Sequence, residues 1–205
     1  MYPVDSTLLE GLPKRPPAPV RIALREVQAL LERGQHSAEL LPGSPGGARR
    51  WLVLDGRRPM IVRPGSRESE RTGPRLLLLG DRLHEIYRAS LPIVIELEPR
   101  TDTIGRPWAV LDVLRWHGEE ASALPWAERR LIREEFAEAL PFELREDFII
   151  PAELEPQLVV AMIAAHSNES TSVSLRSLAA PYGDRRFGPP ELRPSIVAEL
   201  QAAGR

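Results

Sequence analysis

Residues 49–62 read RRWLVLDGRRPMIV, two apolar runs joined by an Asp-Gly pair. Asp-Gly between apolar runs is a strong signal for a tight β-turn, because glycine accepts the positive φ angle that such turns require. The stretch therefore predicts a β-hairpin, with strands over WLVL and PMIV and a turn at Asp55 and Gly56. Because such turns are common, any further role for Asp55 has to be argued from other parts of the chain.

The remaining sequence mixes helix-like and strand-like segments without a regular alternation. Spacing of apolar residues predicts helices within residues 20–34, 72–90, 124–140, 155–166 and 189–204, although LLLL within 72–90 could equally be a buried strand. Apolar runs bounded by turn residues predict strands within 92–99, 106–118, 147–154 and 172–183, with a polar turn at 100–105 and a loop at 40–47. In the clearest helix, one side is predicted to carry Leu124, Trp126, Leu131, Ile132, Phe136 and Leu140. This order of elements predicts an α+β fold.

Composition excludes several classes of protein. Of the 205 residues 42% are hydrophobic and 27% charged, which suits one globular domain, and no apolar run approaches the ~18 residues of a membrane span. The N-terminus lacks the pattern of a secretory signal, so we expect no membrane partner and predict a cytoplasmic protein. With no cysteine and four scattered histidines, we expect no disulfide, no thiolate nucleophile and no metal site. Residues 1–19, rich in proline, are predicted to be an extended segment that precedes one domain over residues 20–205.

Charge is distributed unevenly along the chain. Residues 49–75 hold eight arginines against three acids, about +5 by formal counting, whereas residues 118–156 hold eleven acids against four arginines, about −7. Arginines along a hairpin can share a face and follow a phosphate backbone, so DNA is a candidate partner. The candidate nucleic-acid contacts are Arg57, Arg63, Arg67 and Arg71. In a chain this rich in arginine, a solvated surface without a ligand is the alternative.

Five segments between residues 49 and 188 resemble, in order and spacing, motifs of the adenylation domain of ATP-dependent DNA ligases. They are VLDGRR (53–58, similar to K-x-D-G-x-R), SRESERT (66–72, similar to S-R-x-G-x-x-x-T), VIELE (94–98, similar to D-G-E-L-V), LDVLRWHGEEASALPWAERRLI (111–132, similar to F-D-L-L-Y-L-D-G followed by L-P-L-x-E-R-R-x-L-L) and RSLAAPYGDRR (176–186, similar to K-R-x-x-S-P-Y-R). The fourth is the most specific, because it extends over more than twenty positions.

The resemblance implies a ligase-like nucleotidyltransferase domain with antiparallel sheets flanked by helices, and we expect no oligonucleotide-binding (OB-fold) domain after it. It also implies a nucleotide pocket. The candidate pocket residues are Asp55, Gly56, Arg58, Glu96 and Arg176. Of these, Glu96 matches the glutamate that lies near the nucleotide ribose in the family.

Departures from the family motifs fall on the groups that carry the chemistry. Val53 stands where the family has the lysine whose amine attacks the α-phosphorus of ATP, and valine has no lone pair. Arg176 stands at another family lysine, and a guanidinium stays protonated at any working pH. Thr171 and Ser172 replace a glutamate-glycine pair, and Leu111 replaces the aromatic residue that stacks on adenine. The sequence therefore offers no catalytic residue, and the domain is predicted to be degenerate.

Several acidic and aromatic residues also have simpler interpretations. Glu96 and Glu98 point to one face of a strand, where they could bind a cation or meet arginines, and we expect a solvated position for at least one of them. Asp112 lies in an apolar strand, so it is either paired with an arginine or part of a pocket. Tyr182 is most simply a packing residue.

Three functions remain open. The leading hypothesis is a degenerate ligase-like module that binds nucleic acid or nucleotide and acts as a scaffold in DNA repair. The second is an active ATP-dependent DNA ligase with an unrecognised nucleophile, for which Lys14 is the only lysine and for which ATP and Mg²⁺ would be the cofactors. The third is a protein-interaction module without a nucleic-acid ligand.

Overall fold

A computed structural model describes residues 4–12, 24–42, 44–45, 47–70, 74–101, 108–165, 171–182 and 191–192. The helices α1 to α6 are Ser6–Leu9, Leu24–Glu32, Pro74–Ile86, Trp126–Ala139, Phe142–Arg145 and Pro156–Ala165, and a short 3₁₀ turn covers Arg88–Ser90. In this part of the chain, no helix is both long and apolar enough to cross a membrane. Lys14, Arg71 and most of the predicted turn at 100–105 lie outside the described residues.

Strands form two sheets. In chain order, β1 to β11 are His36–Pro42, Ser44–Pro45, Arg50–Leu54, Pro59–Val62, Ile93–Thr101, Trp108–Trp116, Glu119–Glu120, Phe148–Ile149, Ala152–Leu154, Thr171–Ser177 and Glu191–Leu192. The larger sheet has the order β4-β3-β5-β6-β7, with β2 beside β5 and β8 beside β6, and the smaller sheet has the order β11-β10-β1-β9. Neighbouring strands of both sheets pair antiparallel except for β6 with β8 in the larger sheet, which pair in parallel. The predicted α+β fold, with antiparallel sheets flanked by helices, is confirmed.

The hairpin predicted for residues 49–62 is present. β3 and β4 pair antiparallel, with Val53 opposite Met60 and Leu54 opposite Pro59. Gly56 has a φ of +86°, a conformation that costs glycine nothing and a residue with a Cβ much more. β3 also pairs with β5, so the hairpin forms one edge of the larger sheet and places Val53 opposite Val94.

Each face of the larger sheet carries its own apolar cluster, because neighbouring strand residues point to opposite faces. On one face, Leu52, Ile95 and Val113 pack with side chains that include Leu83 of α3 and Phe136 of α4. On the other face, Trp51, Val53, Met60, Val62, Val94 and Leu114 pack with Val4, Leu12 and Tyr182. Val53, at the position that resembles the family lysine, lies on this second face.

Helix α4 differs from the predicted pattern. Leu131, expected on the apolar side, is 59% exposed, whereas Arg129 and Arg133 are buried with Trp126 and Phe136. Residues 126, 129, 133 and 136 follow helical spacing, so the two arginines lie on the inward side. The prediction was wrong at these positions because it assigned charge to solvent, whereas here the guanidiniums meet buried carboxylates.

Three other segments differ from prediction. The loop expected at 40–47 begins with residues of β1, which continues through Pro42, and includes β2. Residues 6–9 form the helix α1 within a segment predicted to be extended. In the region predicted as a terminal helix, Glu191–Leu192 is a strand that pairs with β10, and the rest of that helix lies outside the described residues.

Candidate functional site

Val53 lies in an apolar environment. Its side chain has no exposed surface and belongs to the cluster that also contains Trp51, Met60 and Leu114. We call the surface formed by Trp51, Val53, Met60, Val62 and Leu114 the apolar groove. Valine supplies no nucleophilic atom at this position.

Residues 4–12, which we call the N-terminal segment, cover the apolar groove. Val4 and Leu12 are 5% and 8% exposed, and Leu8 and Leu9 pack against the same cluster. Asp5 caps α1 by accepting hydrogen bonds from the Thr7 backbone N–H at 3.0 Å and from its hydroxyl at 2.8 Å. Position 53 therefore lies beneath residues whose sequence predicts an extended segment.

Next to the apolar groove lies a set of buried carboxylates. Glu96 is fully buried, accepts a 2.5 Å hydrogen bond from the Tyr182 hydroxyl, and has an oxygen 3.7 Å from Nη1 of Arg49. Glu98 lies 3.6 Å from Nε of Arg49 and 2.6 Å from Nη1 of Arg100. The prediction that at least one of Glu96 and Glu98 is solvated was wrong, because both are buried against arginines.

Burial sets the protonation behaviour of the pair formed by Glu96 and Tyr182. Loss of water raises the pKa of Glu96, an effect that Arg49 and the Tyr182 hydrogen bond oppose. Burial likewise raises the pKa of Tyr182 well above its ordinary value, and the neighbouring Glu96 carboxylate adds to that rise. The tyrosine therefore stays a hydroxyl donor over the whole neutral range, and it is more than the packing residue expected from the sequence.

Arg176 and Asp112 join the two sheets. Nη1 of Arg176 in β10 donates to Oδ2 of Asp112 in β6 at 3.1 Å, and its Nη2 donates to the Leu111 carbonyl at 3.2 Å. Asp112 is fully buried, and its Oδ1 also accepts from Nε of Arg129 at 3.1 Å. Of the two interpretations left open for Asp112, the contacts match the arginine partner.

A second buried carboxylate extends this network. Glu39 in β1 binds Arg133 through both carboxylate oxygens and lies 3.7 Å from Nε of Arg176. The guanidiniums of Arg129, Arg133 and Arg176 also lie 5.4, 5.1 and 4.0 Å from the centre of the Trp126 ring. Aromatic faces attract cations, so Trp126 helps to hold three like charges together.

Asp55 and Gly56 serve the hairpin turn. Oδ1 of Asp55 accepts hydrogen bonds from the backbone N–H groups of Arg57 at 2.8 Å and Arg58 at 3.2 Å, while the Gly56 N–H donates to Nε2 of His84 at 3.1 Å. Glu96 lies opposite Trp51 in the neighbouring strand. Asp55 follows Trp51 by four residues, so it lies about 13 Å along the strand direction from Glu96. The structure thus gathers Glu96 and Arg176 around Asp112 and leaves Asp55, Gly56 and Arg58 at the hairpin end.

Candidate nucleic-acid contacts lie at both ends of β4 and not along its face, since the residues of β4 are themselves buried. Arg57 and Arg58 are exposed before the strand, and Arg63 and Arg67 are exposed after it. Arg63 shares the carboxylate of Glu70 with Arg50, while among the described residues the Arg67 guanidinium has no ion-pair partner.

Sequence reasoning missed several residues of this site. Arg129 and Arg133 could have been found from their helical spacing with Trp126 and Phe136. Val4, Leu8 and Leu12 are also four positions apart, a pattern that the neighbouring prolines concealed. No sequence pattern marked Glu39 or Arg49 as buried, because charged residues with similar neighbours are common on protein surfaces.

Comparison with known proteins shows which solved structure has a similar fold. No protein-family model and no curated protein sequence matches the chain. Among solved structures, it is similar to the ligase domain of LigD from M. tuberculosis, with 18% sequence identity and a TM-score of 0.58. The match covers 82% of this chain and 54% of the LigD chain, so the chain spans about half the length of that structure. The sequence resemblance and this likeness agree on one conclusion: the chain has a ligase-like nucleotidyltransferase fold.

Proposed function

We propose that this chain is a ligase-fold domain that does not transfer nucleotides. The observation that carries the proposal is Val53, which replaces the family lysine and is fully buried beneath the N-terminal segment. Nucleotidyl transfer in this family needs an amine with a free lone pair at that position. An apolar, covered side chain provides neither the atom nor the access.

The other candidate pocket residues support the same proposal. Glu96 is occupied by Tyr182 and Arg49, and Arg176 is occupied by Asp112 and the Leu111 carbonyl. Buried charges that are already paired have little to offer a phosphate or a metal ion, because an incoming ligand would have to replace these contacts. ATP and Mg²⁺ therefore do not fit the described residues of this site.

Incubation with ATP or GTP and magnesium should leave the intact mass of the denatured protein unchanged. The reason is the missing amine at position 53, together with the protonated guanidinium of Arg176 at the second family lysine. Intact-mass spectrometry after denaturation measures this directly. A stable gain of one nucleotide monophosphate would overturn the proposal, and an adduct mapped to Lys14 would establish the relocated nucleophile instead.

The positive role we propose is binding to the DNA backbone as a scaffold. Support comes from the exposed arginines at both ends of β4. Arg58 before the strand and Arg63 after it are five residues apart, which is about 16 Å in an extended chain. That distance corresponds to about five base pairs of rise, so both groups can reach one duplex. A role in DNA repair rests on the likeness to ligases alone.

Binding to nicked duplex should be weak and nearly independent of sequence, with a dissociation constant on the order of micromolar or worse at physiological salt. If about four phosphates are neutralised, log affinity should fall with log salt with a slope of roughly −3 to −4. Arg67→Ala should flatten the slope by about one unit, and Arg63→Ala by less, because Glu70 already holds Arg63. Fluorescence anisotropy over a range of salt concentrations measures both effects.

Arg130→Ala is the matched control, since it removes the same charge from a residue that pairs with Glu134 and Glu153 on the acidic part of the chain. It should leave the slope unchanged. Absence of binding even at low salt, or equal effects of Arg67→Ala and Arg130→Ala, would rule out the DNA-backbone role.

A protein-interaction module is the second candidate. One observation favours it: three arginines of the run, Arg49, Arg50 and Arg63, are already paired with Glu70, Glu96 or Glu98. Failure of the DNA titration, with the mass experiment still negative, would favour this candidate.

A further inference from the structure

A cavity lies between the N-terminal segment and the larger sheet with the loop that follows β4. Its volume is about 310 Å³, at the lower end of the range of ~300–1,000 Å³ that is typical of pockets for small ligands. Residues from both sides line the cavity, among them Ser6, Leu9, Glu10, Leu12, Trp51 and Arg67. The cavity therefore has the size for a small organic molecule, and its lining combines apolar and charged residues.

Two residues of opposite charge line this cavity. Glu10 on the N-terminal segment and Arg67 on the loop after β4 are both exposed. Within the part of the chain that the structure describes, neither side chain has a hydrogen-bond or ion-pair partner, and no ion pair joins the two. Glu10 repels a purely anionic ligand and Arg67 repels a purely cationic one, so the pair favours a molecule that carries both charges.

The backbone is held in place on each side of the cavity. Nη2 of Arg115 donates to the Glu10 carbonyl at 3.2 Å. On the opposite side, the Val4 N–H donates to the Arg67 carbonyl at 3.1 Å. Because the chain is already ordered at both charged residues, a ligand that binds between them loses less affinity to the ordering of the protein.

The apolar part of the lining carries one unsatisfied donor. Leu9, Leu12 and Trp51 line the cavity and contribute to the apolar cluster around Val53. The indole N–H of Trp51 is buried without a hydrogen-bond partner among the described residues. A buried donor without an acceptor costs free energy, which an acceptor on a ligand would offset. The lining therefore suits a ligand with an apolar group and a strong acceptor such as a carboxylate.

We propose that this cavity binds a free α-amino acid with an apolar side chain. The ammonium group of the amino acid pairs with the Glu10 carboxylate, its carboxylate pairs with the Arg67 guanidinium, and its side chain packs against Leu9 and Leu12. The inference goes beyond the proposed DNA contact and does not depend on it, because the amino acid needs no nucleic acid for any of these contacts.

Three ligands of similar shape test the proposal on the full chain. L-leucine carries both charges, isoamylamine lacks the carboxylate, and isocaproate lacks the ammonium group. Because an exposed ion pair contributes little, leucine should bind with a dissociation constant on the order of 0.1–1 mM, and each analogue about threefold to fivefold more weakly. Ligand-observed NMR titrations measure the three affinities. Equal affinities for the three ligands, or no binding of leucine well above that concentration range, would overturn the proposal.

Two substitutions assign the charged groups of the ligand to the two residues. Glu10→Gln should weaken leucine binding about threefold to fivefold and should not weaken isocaproate binding, because it removes the partner of the ammonium group. Arg67→Gln should weaken leucine binding to a similar extent and should not weaken isoamylamine binding.

Glu143→Gln and Arg88→Gln are the matched controls, since they remove the same charges from exposed residues that do not line the cavity. Both should leave the affinity for leucine unchanged. An unchanged affinity in either Glu10→Gln or Arg67→Gln, or an equal loss in the control variants, would show that leucine does not bind between the two charges.

Discussion

Replacement of Asp112 by alanine should lower the free energy of unfolding by about 3–5 kcal/mol. Asp112 is fully buried and neutralises Arg129 and Arg176, whose side chains are only 3% and 7% exposed. Its loss takes the carboxylate partner from the buried guanidinium of Arg129 and leaves Arg176 with Glu39 alone, 3.7 Å from its Nε. A buried charge that loses its partner destabilises the folded protein strongly. Asp112→Asn should cost less, since the amide oxygen can still accept a hydrogen bond.

Urea denaturation measures this loss, provided that the variant and the parent protein show the same dependence of the unfolding free energy on urea concentration. Glu153→Ala provides the control, because Glu153 also binds an arginine of α4, Arg130, but is 51% exposed. An exposed ion pair contributes at most about 1 kcal/mol, so this variant should stay close to the parent protein. Similar effects of the two substitutions would show that the network around Asp112 is not the buried unit described above.

Val53→Lys should destabilise the protein strongly and should not yield a nucleotide adduct. The ammonium would enter the buried apolar cluster of Trp51, Met60 and Leu114, which we expect to cost several kcal/mol at neutral pH. Catalytic groups that act as a unit do not contribute additively. An amine at position 53 should therefore not produce nucleotidyl transfer while Arg176 stands at the second family lysine and Thr171 and Ser172 stand at the family glutamate-glycine pair. Intact mass after incubation with ATP measures the second effect.

The stability of Val53→Lys should depend on pH in a defined direction. Burial lowers the pKa of the lysine in the folded protein, whereas the unfolded chain keeps a value near ~10.4. Below that value the unfolded state binds more protons, so the variant should become more stable as pH rises towards ~10. Val53→Met, which adds length without charge, should show no such rise, and a pH-independent loss in the lysine variant would mean that its amine reaches solvent.

A structural feature could be predicted from the sequence when the residues that form it are close together along the chain. The hairpin at 49–62 was predictable because its turn chemistry is local, and β5 and β6 were predictable because their apolar runs are contiguous. The buried network was not predictable as a network, because Arg176 and Asp112 are 64 positions apart and Arg133 and Glu39 are 94 positions apart. Charge counting assigned such residues to solvent, although pairing across two sheets removes most of their cost of burial.

The N-terminal segment illustrates a second limit. Its apolar spacing was present in the sequence, but the prolines that follow it favoured an extended interpretation. Docking to the apolar groove is a tertiary effect, and four residues of helix would not persist without it. The resemblance to the family motif drew attention to position 53, whereas the residues that cover Val53 could be learned only from the structure.

The hydrogen bond between the Gly56 N–H and His84 makes the tip of the hairpin sensitive to acid. A ring nitrogen that accepts a hydrogen bond carries no proton, so Nε2 of His84 must be the unprotonated nitrogen of a neutral imidazole. Burial lowers the pKa of His84, although Asp55 and Asp81 oppose that shift, so the neutral form persists at physiological pH. Below the unfolded pKa of about 6.5 this contribution to stability is progressively lost, because protonation removes the acceptor. The turn that presents Arg57 and Arg58 would then separate from α3 and gain a third positive charge beside it.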